Sequence, residues 1–235
     1  FSKLLFASNF SSFHDNYDER LIEKGVKKTE VDFIISFNQT VPTKDIPYLV
    51  TLWDLEHRKS PFFPEVSGNG LWVEREEHFT ETLRRASVVV TGTKTGLLEI
   101  EKFYQVPDER IKIIPFPKPE YQKSLDDGKM ILSKYNLPSK FLFYPAQFWP
   151  HKNHANLLHS IHILKKDKLK LFHVVFVGSD KGNLSYVRNL AEKLDINDQV
   201  HFLGFVPQKD LEKLYQVAFA KVYLTFFGPD NIPPV

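Results

Sequence analysis

Short, unbroken apolar runs alternate with amphipathic stretches along most of this chain, and that alternation narrows the folds open to it. Residues 31–37, 48–53, 88–91 and 111–115 are rich in Val, Ile, Phe and Tyr. A strand with one wet face alternates apolar and polar residues, whereas these runs suit a parallel sheet covered on both faces. Between them lie helical patterns. Residues 73–85 are charged on one side and carry Phe79 and Leu83 four apart, and residues 94–104 mix a buried face with a wet one. Residues 116–140 change character, with Pro117, Pro119 and Pro138 around a polar stretch, and read as a crossing between domains with a short helix over 129–135. The alternation then restarts. Strands are expected over 141–144, 172–177, 200–203 and 221–225, and helices over 155–165, 186–194 and 208–219. This is an α/β pattern of two Rossmann-like domains: 1–118, a linker at 119–140, and 141–235.

Composition excludes several functions. At 235 residues with 42% hydrophobic, the chain can bury one large core or two small ones. A net charge of +2 gives no reason to invoke nucleic acid as a partner. Without cysteine there is no disulfide, thiolate chemistry or Cys-ligated zinc. His151/His154 and His159/His162 are each spaced three apart, but no carboxylate cluster completes a site, so no metal is expected. The 21 Phe read as core, and neither a Walker loop nor a Gly-x-Ser-x-Gly elbow occurs. No apolar run approaches the roughly 20 residues that span a bilayer. The chain does not open with Met or with a signal-peptide pattern, and reads as a processed or excerpted piece. Asn38-Gln39-Thr40 fits a glycosylation acceptor, a pattern short enough to arise by chance.

The stretch 144–154 says most about chemistry. It leaves a strand end, passes Ala146, Gln147, Phe148 and Lys152, and enters a helix. Ligands in open α/β sheets bind at the carboxyl ends of strands, and the amides of a helix start favour anions. A lysine beside them suits a diphosphate; taken alone it is more readily a solvated loop residue.

The segment resembles the strand, loop and helix of the retaining glycosyltransferases of family 4, whose Gly-Arg-Leu-x-x-x-Lys pattern holds a donor diphosphate. Ala146, Gln147 and Phe148 take the first three positions and Lys152 matches the lysine. Gln147 in place of Arg keeps a donor but loses a charge-assisted contribution on the order of 1 kcal/mol or more. Further stretches resemble the family in the same order. Residues 175–178 match the next strand and its Gly turn. Residues 200–207 match the segment whose backbone contacts the donor base, here Gly204, Phe205 and Val206. Residues 222–235 match the strand and loop that carry two glutamates eight positions apart. Gly228 stands at the first, and the second falls just past Val235. In the first half, 51–58 resembles a family strand followed by His-Asp, with Trp53 in place of the His and Asp54 retained. Residues 61–65 extend the likeness to a bacterial subgroup. Residues 91–94 resemble a Ser-Glu-x-Ser loop, where Thr93 serves equally as a helix cap. Residues 1–9 are either a remnant of the opening strand or another core element, and no Gly-rich loop follows them.

The resemblance implies a GT-B-like fold, two Rossmann-like domains with parallel sheets facing a cleft, truncated at the C-terminal end. It implies transfer of a hexose from a nucleotide-diphosphate sugar to a glycan or lipid-linked acceptor with retention, needing neither metal nor cofactor. Lys152 would act on the leaving diphosphate, with Asp54 and His57 as catalytic candidates near the sugar. Gln147, Lys152, Gly204, Phe205, Val206, Thr225, Phe226 and Gly228 would bind the donor. A cytoplasmic protein at the inner face of the membrane, with peripheral membrane contact, fits such acceptors. The first reading is a fragment of such a transferase, inactive as it stands, and two alternatives stay open: a degenerate nucleotide-sugar-binding module and a sugar-nucleotide epimerase of the same fold.

Overall fold

The computed structural model describes residues 4–7, 24–26, 28–115, 117, 128–167 and 171–228. The chain divides into two compact units whose principal segments are Phe1–Pro117 and Lys118–Phe227.

The first unit holds a parallel sheet ordered β1-β2-β3-β4-β5. Its strands are β1 Leu4–Ala7, β2 Phe33–Ser36, β3 Tyr48–Thr51, β4 Val88–Thr91 and β5 Ile111–Ile113. The opening segment is therefore a true strand, in register with β2 from Leu4↔Phe33 to Ala7↔Ser36. Two short helices, α1 Glu56–Lys59 and α2 Pro64–Ser67, lead into α3 Leu71–Arg85, and α4 Lys94–Tyr104 follows β4. Ile34, Tyr48, Val50 and Val89 of the sheet pack with Phe79 and Leu83 of α3 and Ile100 of α4. The Tyr48 hydroxyl donates to the Thr82 carbonyl at 2.7 Å, which satisfies the one polar atom of a fully buried ring. Thr93 caps α4 by accepting from the Gly96 amide at 3.0 Å, so its structural reading holds.

The second unit holds a parallel sheet ordered β8-β7-β6-β9. Its elements run α5 Lys129–Lys134, β6 Phe141–Pro145, α6 His154–Lys166, β7 His173–Val177, α7 Leu184–Lys193, β8 Val200–Gly204, α8 Gln208–Val217 and β9 Ala220–Lys221. The continuous apolar runs have the expected cause. In β7, Val174 and Phe176 join one core cluster while Val175 and Val177 join another on the opposite face. Each such side chain contributes about 1.5–3 kcal/mol on burial. The segment expected to link the domains is in part a component of this unit: Ile131 of α5 is buried in its core, and Lys134 and Tyr135 both donate to Asp210 of α8 at 2.6 Å. The strand expected over 221–225 ends early, at Lys221. After Val222 donates to the Phe143 carbonyl, the chain leaves the sheet and bonds instead to the loop after β6. No helix among the described residues is long and apolar enough to cross a membrane.

Candidate functional site

In the second unit the loop 146–153 is tied down from three sides. The buried Phe148 packs against Phe176 and Phe202 and stacks on His154 at 4.5 Å, while its amide donates to the Ser179 carbonyl at 3.0 Å. Gly178 allows that closeness. A β-carbon there would stand 2.3 Å from the Ala146 carbonyl oxygen and 2.8 Å from the Gln147 Cα. The Gly178 amide also donates to the Gly204 carbonyl at 2.9 Å, so one residue joins the ends of β6, β7 and β8.

The segment after β9 closes over the same loop. Asn153 donates its side-chain amide to the Leu224 carbonyl at 3.0 Å, and the Phe226 amide donates to the His151 carbonyl at 2.9 Å. The Thr225 hydroxyl donates to the Phe227 carbonyl at 2.8 Å and lies 3.3 Å from that of His151. The His151 ring stacks on Phe227 with centroids 4.0 Å apart. Lys152 is half-buried, its ammonium 5.9 Å from the Tyr223 ring centroid, and its carbonyl accepts from the Tyr144 hydroxyl. Asn153 sits at φ 58° to begin α6, and no side chain caps that helix. Lys152 thus lies two residues before a 13-residue helix whose first amides meet no capping side chain, a helix start that favours an anion.

The structure brings Lys152, Thr225 and Phe226 together through the His151 carbonyl. It joins Gly204 to the same loop through Gly178. Gly204 adopts φ +69°, and Phe205 beyond it is 85% exposed. Val206 is buried in the core, so only its backbone can meet a ligand. Gln147 is exposed, and its side-chain oxygen accepts from the Trp149 indole at 3.0 Å. Gly228, the last described residue, offers backbone only.

The first unit corrects one expectation. His57 does not face an open site: its side chain is wholly buried, 3.3 Å from Glu76 and 3.2 Å from the Tyr104 hydroxyl, and packed on Phe79. Burial and the nearby Arg75 push its pKa down to about 4, against the pull of Glu76. Burial, together with the positive charge of Arg75, holds it neutral as a core residue. Asp54, three residues beyond β3, receives the Arg75 guanidinium at 2.8 Å and the Glu56 amide at 3.0 Å, which fixes the turn into α1. Arg58 pairs with Glu76 under the rings of Trp72, Phe103 and Tyr104. Burial alone would raise the Glu76 pKa, but Arg58 outweighs it and holds the carboxyl below the usual range. Glu76→Gln is expected to cost about 2 kcal/mol, below the ~3–5 of a fully buried pair because Arg58 keeps some solvent. The midpoint of urea unfolding measures it.

Several residues that hold this loop escaped the sequence. Asn153, His151 and Phe227 position Lys152 and Thr225 through contacts more than 70 residues apart in the chain. The positive φ of Asn153 was the one local signal, since Asn tolerates it better than most residues.

Comparison with known proteins bears on this arrangement. Residues 132–225 match the family model described as "Glycosyl transferases group 1". That stretch is similar to a group 1 glycosyltransferase domain. That domain runs from within α5 to Thr225 and contains Lys152, Gly178 and Gly204. The O-antigen chain mannosyltransferase RfbU of Salmonella typhimurium is 28% identical over 154 residues, 66% of this chain and 40% of that protein. The O-antigen chain mannosyltransferase B of Escherichia coli is 24% identical over 161 residues, 67% of this chain and 42% of the other. The chain therefore spans about two fifths of the length of these curated relatives. Among solved structures, Anabaena Alr3699/HepE in complex with UDP and glucose superposes with TM-score 0.69 at 18% identity, over 89% of this chain and 57% of that one. WaaG, a glycosyltransferase involved in lipopolysaccharide biosynthesis, gives 0.68 at 16% identity, over 94% and 62%. The fold, two parallel-sheet α/β units, is that of the GT-B glycosyltransferases. The matched residues, 132–225, lie within the second unit, Lys118–Phe227.

Proposed function

We propose that this chain is part of an enzyme that transfers a hexose from a nucleotide-diphosphate sugar to a glycan or lipid-linked acceptor, with retention at the anomeric carbon. The observation that carries the reading is Lys152, fixed beside the uncapped start of α6 inside the glycosyltransferase domain. Negative charge builds on the diphosphate as the sugar leaves. A cation and amides already in place stabilise that charge without reorganising, which is where such sites gain most of their rate. The backbone at Gly204, Phe205 and Val206 would hold the base, and Thr225 and Phe226 would flank the donor. Asp54, held by Arg75, is the first unit's candidate for a sugar hydroxyl. The chemistry needs no metal. The reaction belongs in the cytoplasm, at the inner membrane face when the acceptor is lipid-linked.

A thermal-shift screen with UDP, GDP, ADP and their sugar conjugates tests this, GDP-mannose first because the curated relatives are mannosyltransferases. Ligand at about 100 times its dissociation constant adds about 2.7 kcal/mol. The expected result is a shift with one nucleotide that Lys152→Ala abolishes. No shift in folded protein overturns the donor site.

A second reading, a nucleotide-sugar-binding module without catalysis, draws on Gln147 and Gly228, which replace an Arg and a Glu of the pattern. Gly228→Glu with no gain in transfer favours it.

A further inference from the structure

His173 and His201 are the titratable residues of two otherwise apolar strands, His-Val-Val-Phe-Val in β7 and Val-His-Phe-Leu-Gly in β8. Side chains alternate along a strand, so His173 shares a face with Val175, and Val175 is in register with His201. The two histidines are therefore diagonal neighbours on one face, at the amino ends of adjacent parallel strands. Two ring nitrogens face each other: His173 Nδ1 lies 3.2 Å from His201 Nε2, with ring centroids 5.4 Å apart. Both residues are half-buried, so the sheet holds them while solvent still reaches them.

Two facing imidazole nitrogens have two uses. One can donate its proton to the other, or both lone pairs can point at one ion. Zinc–imidazole bonds of about 2.0–2.1 Å set two such nitrogens about 2.9 Å apart at a right angle and about 3.4 Å apart at the tetrahedral angle. The 3.2 Å separation here lies between those limits, so neither strand need move to bring both ligands to one ion. Imidazole suits Zn2+, Ni2+ and Cu2+, whereas Mg2+ and Ca2+ take oxygen ligands. Among the described residues no third His, Cys, Asp or Glu completes a cluster, so water fills the remaining positions. The histidine pairs that stood out by sequence spacing are engaged elsewhere. His151 stacks on Phe227, His154 is enclosed against Phe148, and His162 Nδ1 meets the Leu194 carbonyl at 2.8 Å. We infer that His173 and His201 form a two-histidine clip for one zinc-class divalent ion, tying the amino ends of β7 and β8 together. Gly178 and Gly204 lie at the carboxyl ends of the same strands. The clip thus braces the second unit from the far end of its sheet and takes no part in sugar transfer.

Zn2+ itself is the probe. The protein is stripped with a chelator, labelled with 15N-histidine and titrated with ZnCl2 at pH 7.5, with MgCl2 as the control. The expected result is that one equivalent of Zn2+ shifts the ring nitrogens of His173 and His201, and that Mg2+ shifts neither. By calorimetry the Zn2+ affinity should fall at least tenfold in His173→Gln and in His201→Gln. It should stay unchanged in His159→Gln, which alters an exposed histidine on α6. Zn2+ should also raise the urea midpoint of the second unit in the native protein and in neither clip variant. Zn2+ that binds both clip variants as tightly as the native protein sits on other histidines and overturns the inference. Native, folded protein whose His173 and His201 signals ignore Zn2+ overturns it too, and leaves the pair as a hydrogen bond.

Discussion

Between pH 6.5 and pH 4 both units are expected to lose stability, each by about 3 kcal/mol. The cause is a fully buried histidine in each. His154 lies stacked on Phe148 and close to Tyr144 and Phe176, and burial pushes its pKa from 6.5 down to about 4, partly offset by the Ala146 carbonyl. His57 has the same value in the first unit, for the reasons given above. In the unfolded chain both titrate near 6.5. Between 6.5 and 4 the unfolded state therefore binds more protons, and stability falls as pH falls. A shift of about two and a half units is worth about 3 kcal/mol at 1.36 per unit. His201, lowered by burial and by His173 3.2 Å away, acts in the same direction. Glu56 acts against them, because burial raises its pKa and acid favours its folded neutral form. Two losses of this size compare with the whole stability of a domain. Urea unfolding at pH 7.5, 5.5 and 4.2 measures the slope. His154→Phe keeps the stacked ring and removes the proton, so the second unit should lose most of its pH dependence. An unchanged slope in that variant would assign acid lability to other groups.

The same histidine shows where the sequence was legible. Short apolar runs announced the strands because burial on both faces leaves no room for polar alternation, and β4, α4 and the β6–β7–β8 series follow that pattern closely. His151 and His154, three apart before a helix, looked like a pair for one face. In the structure one stacks on Phe227 and the other is enclosed by Phe148, and partners so distant in sequence leave no periodic trace. β9 failed as a long strand for a related reason. Residues 222–225 have strand composition, but their hydrogen bonds go to the loop after β6, a choice made by tertiary contact. His57 misled because its place in a stretch that resembles a family loop made it a candidate near the sugar, while a one-turn helix turns it inward against Phe79 of α3. The place of Lys152, between a strand end and a helix start, was legible because that is a local pattern. Its supports, Asn153 and the Thr225 segment, were not.

Gly178→Ala is expected to destabilise the second unit by about 3 kcal/mol and to abolish nucleotide binding with it. The new methyl group would meet the Ala146 carbonyl oxygen at 2.3 Å, its carbon at 2.6 Å and the Gln147 Cα at 2.8 Å. All three are backbone atoms, so no side chain can rotate away, and the cost lies at the upper end of the ~1–3 kcal/mol typical of overpacking. Relief requires the loop after β6 to move off β7. That motion breaks the Phe148–Ser179 hydrogen bond and displaces the chain that leads to Lys152. Gly204→Ala is the control. Nothing lies within 4 Å of a β-carbon there, and the residue's φ of +69° is its only demand for glycine. Its cost should stay at about 1–2 kcal/mol, the penalty of a left-handed residue. Urea midpoints rank the two variants, and thermal shift with the nucleotide that binds the native protein separates their effects on the site. If Gly178→Ala folds with native stability and still binds, the loop is free to move, and the fixed geometry claimed for Lys152 fails with it.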